Sequence, residues 1–289
     1  MKILILGADG MIGHKISQTL GSSNHTLILN SRTRSEYLND FISNATFSNY
    51  DFLKQDVTKL LNETNPELVI NCVGITIRRG ADIIENAINL NQKLPHTIAE
   101  WCSKKSKKSI HFSTDCVFSG TKGNYSESDL LDAIDNYGLT KGKGEVRSLN
   151  TLTIRSSMIG RELFNKTELL EWLIGEKGKS VKGFSQVIYS GVTTLYMANL
   201  IKELITEGLQ ISGIYNISSP PISKYDLLNK LNRVFNLDLI IEKDNSKKSD
   251  KSLKSNKFFS KYYYHKPNWD DMIKELFHDA EKFHELYKN

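Results

Sequence analysis

Tyr137 and Lys141 lie four residues apart, so on a helix they share one face. A phenol that moves protons near neutral pH needs its pKa of about 10 brought down by several units. An ammonium group beside it does so by favouring the phenolate. Tyr-x-x-x-Lys is common on helices by chance, and position is what gives this pair weight. It follows the loop after the fifth strand-like run of the chain, at the edge where open parallel sheets bind ligands. That loop begins Ser113-Thr114-Asp115-Cys116-Val117-Phe118. Thr114 could hydrogen-bond the oxygen that Tyr137 serves, and Asp115 could orient a substrate. The plainer reading of Thr114 and Asp115 is turn formation and local capping, which their residue types favour.

A second chemical signal stands at the other end of this half. Gly7-Ala8-Asp9-Gly10-Met11-Ile12-Gly13 has the form G-x-x-G-x-x-G directly after a strand-like run and before helical spacing. In that context Gly7 permits a tight turn, Gly10 lets the backbone approach a pyrophosphate, and Gly13 lets the helix lie close to the strand. The helix start then offers free N–H groups to phosphate. NAD-binding chains often place an acid about 20 residues further on, against the ribose 2′-hydroxyl. Here the stretch reads Leu29-Asn30-Ser31-Arg32-Thr33-Arg34, without an acid. Arg32 and Arg34 could pair with a 2′-phosphate, so NADP(H) is favoured and NAD(H) is the alternative. Two solvated loop arginines are the competing reading.

The elements that must hold these residues alternate. Strand-like runs cover 2–6, 25–29, a weaker third ending near Asp56, 67–72, 109–113 and 151–155; helical spacing covers 11–20, 82–104 and 136–149. This rhythm predicts an α/β fold, a Rossmann-type doubly wound parallel sheet. It breaks after residue 160. A helix is expected over 162–175, mixed strand and loop over 181–190, a helix over 193–206 and a short strand over 213–217. Ser223 caps a helix running to Phe235, a strand covers 237–242, a flexible polar loop 244–257, and an amphipathic helix 269–287. We therefore expect a dinucleotide-binding domain over 1–160 and a smaller α/β substrate lobe over 161–289, with room for the chain to cross back into the main sheet.

Composition narrows the class. The 289 residues are 39% hydrophobic and 25% charged, ordinary for a soluble protein. No stretch approaches the ~20 apolar residues that span a bilayer, and the first apolar run stops at Gly7, too short for a signal peptide. No membrane association is expected. Cys72, Cys102 and Cys116 form no C-x-x-C pair, which fits reduced thiols in the cytoplasm and no metal site. The net charge of +5 concentrates at 104–108 and 243–261. A solvated face with cations for a phosphorylated ligand explains it better than nucleic acid.

Gly7-x-x-Gly10-x-x-Gly13, Asp56-Val57, Asn71-Cys72-Val73-Gly74, Asn91, Ser113-Thr114-Asp115 and Tyr137-x-x-x-Lys141 together resemble the extended short-chain dehydrogenase/reductases. The run Ser113 to Gly123, Tyr125-Ser126-Glu127, Asn136-Tyr137-Gly138, Gly144-Glu145 and Arg155-Ser156-Ser157 resemble the dTDP-4-dehydrorhamnose reductase branch within them. The resemblance is dense over 1–160 and thins to Ser190-Gly191, Asp250-Lys251-Ser252-Leu253 and Phe258. It implies hydride transfer from NAD(P)H to the 4-keto carbon of a nucleotide-diphosphate sugar. Tyr137 would protonate the oxyanion, Lys141 would lower the tyrosine pKa and hold the nicotinamide ribose, and Thr114 would polarise the keto group. Gly7, Gly10, Met11, Ile12, Gly13, Ser31, Arg32, Cys72, Val73, Gly74, Ser113, Tyr137 and Lys141 would lie along the cofactor. Asp56 and Val57 would seat the adenine, and Asn91 would line the cofactor or support the active-site helix. Asp115, Cys116, Val117, Phe118 and Arg155 would meet the substrate. A homodimer is compatible with this. The branch usually has Tyr at position 116, and 181–186 departs from its usual lobe pattern. Two other readings stand beside it: an epimerase or dehydratase of the same superfamily, and a non-catalytic regulatory subunit on the same fold.

Overall fold

The computed structural model describes residues 1–32, 42, 45–76 and 83–288. Its centre is one parallel sheet of seven strands. These are β1 (Lys2–Leu6), β2 (Thr26–Ser31), β3 (Ala45–Asn49), β4 (Leu68–Asn71), β5 (Lys108–Ser113), β6 (Thr151–Arg155) and β10 (Gly213–Asn216), in spatial order β10-β6-β5-β4-β1-β2-β3. The strand order reverses beside β1, so the crevice above its carboxyl end is the expected ligand site.

The strands β1 and β4 are apolar over almost their whole length because both faces are covered, while β5 and β6 alternate apolar residues with buried Ser109, His111, Thr151 and Thr153. Ile3 and Ile5 of β1 point into one core, which α1 (Met11–Gly21) and α7 (Thr194–Thr206) close. Leu4 and Leu6 point into the other, which α2 (Val57–Thr64) and α4 (Leu94–Lys104) close. The helix expected over 82–104 is a continuous helical run: α3 (Ile84–Ala87), a π-helical stretch Ile88–Lys93, then α4. Asp82 lies outside the described residues.

The helix expected over 136–149 is shorter, α5 (Asn136–Lys143), and ends at Gly144. The third strand ends at Asn49 rather than near Asp56, and Tyr50, Asp51 and Phe52 after it line the ligand edge. Between β6 and α7 come β7 (Met158–Ile159), α6 (Leu169–Gly175), β8 (Ser180–Tyr189) and β9 (Val192–Thr193). The helix expected from 162 begins only at 169. The Glu162 carboxylate accepts from the backbone N–H of Thr167 and Glu168 (2.7 and 2.6 Å), and Asn165 and Lys166 adopt positive φ, which keeps 162–168 a turn.

A smaller sheet, β11 (Ile222–Ser223), β8 and β12 (Ile240–Asp250), carries α8 (Lys224–Phe235). Here the expectation of a flexible loop over 244–257 is corrected. The backbone to Asp250 pairs in parallel with β8, and α9 (Asn256–Phe259) follows. The lysines there are compatible with a strand because they face solvent, and Lys247 lies 5.0 Å above the Phe184 ring. The strand expected over 237–242 is thus the start of a longer one. The last helix is α10 (Trp269–Lys282), followed by a 3-10 turn over His284–Tyr287.

The chain does recross. β10 lies at the edge of the main sheet beside β6, and α7 packs on α1. No helix among the described residues is long and apolar enough to cross a membrane.

Candidate active site

A cavity of about 1100 Å³ runs from the glycine turn across the carboxyl edge of the main sheet to β8 and α6. Gly7 (φ +71°) makes the turn after β1. A Cβ at position 13 would stand 2.0 Å from the Gly7 carbonyl oxygen, so only glycine lets α1 start this close to β1. Gly10 caps α1 without a side-chain hydrogen bond, and the first turn carries no acid. The free N–H groups and the positive helix end therefore open on the cavity beside Gly7, Gly10, Met11 and Ile12.

Ser31 and Arg32, at the end of β2, also line it, as do Cys72, Val73 and Gly74 after β4. Asn71 shapes that last turn by accepting from the Val73 N–H at 3.1 Å. Arg34 lies outside the described residues. Asn91 does not reach the cavity. Its amide bonds both backbone groups of Ile75 (2.9 and 3.0 Å) and the Thr140 hydroxyl (3.2 Å), tying the 75 loop to α5. Of the two roles expected for it, the geometry gives the supporting one.

Asp56 and Val57 stand away from the cavity. The Asp56 carboxylate caps α2 by accepting from the Thr58 N–H at 2.9 Å, and Val57 is buried in the core. The cavity wall at this end is Tyr50, Asp51 and Phe52.

At the other end Ser113, Thr114, Cys116, Tyr137 and Lys141 share the wall. Thr114 caps the 3-10 turn Asp115–Val117, accepting from the Cys116 N–H at 3.1 Å, and its hydroxyl donates to Asp115 at 3.1 Å. The phenol's pKa is raised, first by burial and then by its acidic neighbours, and Thr114 opposes the rise. The Lys141 ammonium donates to the Phe112 carbonyl. Burial brings its own pKa down to about 8, against the pull of Glu145 and Cys72. Cys116, half-buried on the same wall, has its thiol pKa pushed up to about 12, chiefly by desolvation.

Four residues expected to meet the substrate lie behind this wall. Asp115 is buried and accepts from Ser157 and Thr114, so it holds those hydroxyls in place. Val117 and Phe118 are fully buried with Tyr125 and Leu253; Phe118 stacks on Tyr125 at 4.1 Å. Arg155 is fully buried and grips the Glu145 carboxylate with two hydrogen bonds of 2.6 and 2.7 Å. Glu145 in turn accepts from Ser113 at 2.8 Å. These residues support the catalytic loop from below. The loop is further clamped by Tyr125, whose backbone bonds Ser252 and Lys254 (2.8 and 2.7 Å).

The distal wall was not foreseen: Ser157 and Glu168, then Trp172 on α6, Lys182, Phe184 and Tyr189 on β8, and Lys224 on α8. Of this wall, Ser157, the 181–186 segment with Lys182 and Phe184, and the Ser190-Gly191 pair beside Tyr189 carried a signal in the sequence.

A seven-stranded parallel sheet with a glycine turn after its first strand, a threonine after its fifth and Tyr-x-x-x-Lys on the next helix defines an extended short-chain dehydrogenase/reductase. The chain belongs to the family of the RmlD substrate binding domain, whose model matches residues 1–168. It is similar to a probable low-salt glycan biosynthesis reductase of Haloferax volcanii, with 27% identity over 230 residues, 76% of this chain and 75% of that protein. A dTDP-4-dehydrorhamnose reductase of Aggregatibacter actinomycetemcomitans is 25% identical over 247 residues, 78% of this chain and 76% of that protein. A solved dTDP-4-dehydrorhamnose reductase of Bacillus anthracis, in complex with NADP, shares the fold, with a TM-score of 0.76 over 96% of this chain and 99% of that one at 18% identity.

Proposed function

We propose that this protein reduces the 4-keto group of a nucleotide-linked deoxysugar with NAD(P)H, for glycan or polysaccharide biosynthesis. It is an NAD(P)-dependent oxidoreductase of the short-chain dehydrogenase/reductase class. The observation that carries the reading is that Thr114, Tyr137 and Lys141 line the same cavity as the glycine turn.

The residues present fit a dinucleotide. The crowded Gly7–Gly13 contact and the uncapped start of α1 make a cradle for a pyrophosphate. Arg32 at the cavity edge, with no acid at the end of β2, favours NADP(H). When bound, the nicotinamide supplies the hydride. Tyr137 Oη then gives its proton to the former keto oxygen. A phenol kept neutral by burial is in the right form to do so. Thr114 Oγ1, by turning its proton from Asp115 to the same oxygen, would orient the carbonyl. Lys141 Nζ, placed next to Gly74, holds positive charge beneath the site.

The test is NADPH oxidation in the presence of dTDP-4-keto-6-deoxyglucose. Tyr137→Phe should lower kcat by about 10²–10⁴-fold, the usual range for a lost general acid, and leave NADPH binding intact. A wild-type protein that binds NADPH but oxidises none of it with any 4-keto sugar nucleotide would falsify the reading.

A further inference from the structure

The cavity wall carries a second phenol. Tyr189 ends β8, is 7% exposed and lines the same cavity as Thr114, Cys116 and Tyr137. Its hydroxyl is buried and has no hydrogen-bond partner among the described residues. Ser157 stands nearby and gives its proton to Asp115, and no hydrogen bond joins it to the Tyr189 hydroxyl. Buried hydroxyls are normally paired, so a lone one on a ligand cavity marks a place where the ligand completes the bond.

The ring itself is held firmly. The Lys224 ammonium lies 3.8 Å above it, and Trp269 packs at 5.7 Å. Its backbone pairs with Ile222 of β11. The phenol end passes over Gly191, where a Cβ would come within 2.3 Å of the Tyr189 oxygen. The Tyr137 and Tyr189 side chains line one chamber together with Cys116 and Glu168, and Tyr189 is fixed in advance of any ligand.

We propose that Tyr189 is a substrate-binding residue whose hydroxyl donates a hydrogen bond to a hydroxyl of the sugar and so sets the sugar's orientation before Tyr137. This rests on the sugar-nucleotide reductase reading. The bond is between neutral groups, so its loss costs about 3- to 10-fold in affinity.

The experiment compares wild type with Tyr189→Phe on dTDP-4-keto-6-deoxyglucose and on its 2-deoxy and 3-deoxy counterparts, with NADPH. The variant should raise KM for the fully hydroxylated sugar about 3- to 10-fold, with little change in kcat. NADPH KM should be unchanged, and Tm equal or higher, because the hydroxyl bonds nothing in the protein. On the analogue that lacks the partner hydroxyl, wild type and variant should be equal. An unchanged KM on all three sugars overturns the assignment. So does an equal loss on all three, or a fall in Tm with the KM unaltered, since both describe a structural hydroxyl. If wild type turns over none of the sugars, the reductase reading fails and takes this assignment with it, an outcome distinct from an active enzyme indifferent to Tyr189→Phe.

Discussion

Gly138→Ala sets two effects of opposite sign against each other on the catalytic helix. Glycine inside a helix is less favourable than alanine by about 1 kcal/mol, so on an exposed helix the substitution stabilises. Here a Cβ at 138 would stand 2.1 Å from the Cys116 carbonyl oxygen and 2.5 Å from the Ala133 Cβ. A carbon contacts a carbonyl oxygen at roughly 3.3 Å, so α5 and the 114–118 turn must part by about 1 Å. Overpacking of this kind costs about 1–3 kcal/mol, enough to cancel the propensity gain of about 1 kcal/mol and leave a net loss of up to about 2 kcal/mol. The larger consequence falls on chemistry. Tyr137 precedes the substituted residue and Thr114 starts the turn it pushes against, so their separation grows by the same ångström. A displacement of that size in a positioned pair can cost about 100-fold in rate. The assay is kcat for NADPH oxidation beside Tm, with Gly175→Ala as reference. Gly175 ends α6, and a Cβ added there would meet no atom within 4 Å, so it should show the propensity gain alone. A Gly138→Ala enzyme with wild-type kcat and a raised Tm would refute the reasoning, because the close seat of α5 would then have no part in placing the phenol.

Four further outcomes are expected. The Lys141 ammonium has its pKa lowered to about 8 by burial, so kcat/KM should fall as pH rises through about 8, read from a pH–rate profile. The same shift bears on stability: between pH 8 and 10.5 the unfolded chain holds the extra proton, so this group makes stability rise with pH there and imposes a constant cost below 8. Lys141→Met should therefore raise Tm at pH 7 while abolishing turnover; a lowered Tm would contradict the burial cost. His14 is buried and neutral, with its pKa lowered from 6.5 to about 3 mainly by burial. The unfolded state binds the proton first, so stability should drop as pH falls from 6.5 towards 3, and His14→Gln should flatten that limb in urea titrations. Arg155→Met leaves the Glu145 carboxylate buried without its partner and should cost about 3–5 kcal/mol, while Arg155→Met with Glu145→Leu should recover much of it. Arg32→Ala should raise KM for NADPH about 10- to 100-fold and leave KM for NADH unchanged; equal changes for both would remove Arg32 from the 2′-phosphate.

What the sequence made legible is the part where one local cause has one structural result. Runs such as Ile3-Leu4-Ile5-Leu6 are apolar at every position because helices cover both faces, and the run alone says so. The glycine turn reads from sequence because Gly13 sits against Gly7 only six residues away. Arg155 shows where this fails. An arginine after a strand in the catalytic half has the same local signature whether it meets a ligand or a buried carboxylate, and Glu145 decides the matter from across the fold. Val117 and Phe118 failed for a related reason: the loop they belong to is held against Leu253, more than a hundred residues on, and the pressure to keep those side chains comes from that clamp. Asp56 is absent from the cavity wall because β3 stops at Asn49, so Tyr50, Asp51 and Phe52 reach the cavity while Asp56 caps α2. Tyr189 had no periodic signal. It is one aromatic in a strand of mixed burial, and what distinguishes it, a hydroxyl without a partner on a cavity wall, is a property of the assembled site. Motifs thus located the chemistry that the chain builds from neighbouring residues. The opposite cavity wall is built from β8, α6 and α8, and its contacts exist only once those elements close over the carboxyl edge of the sheet.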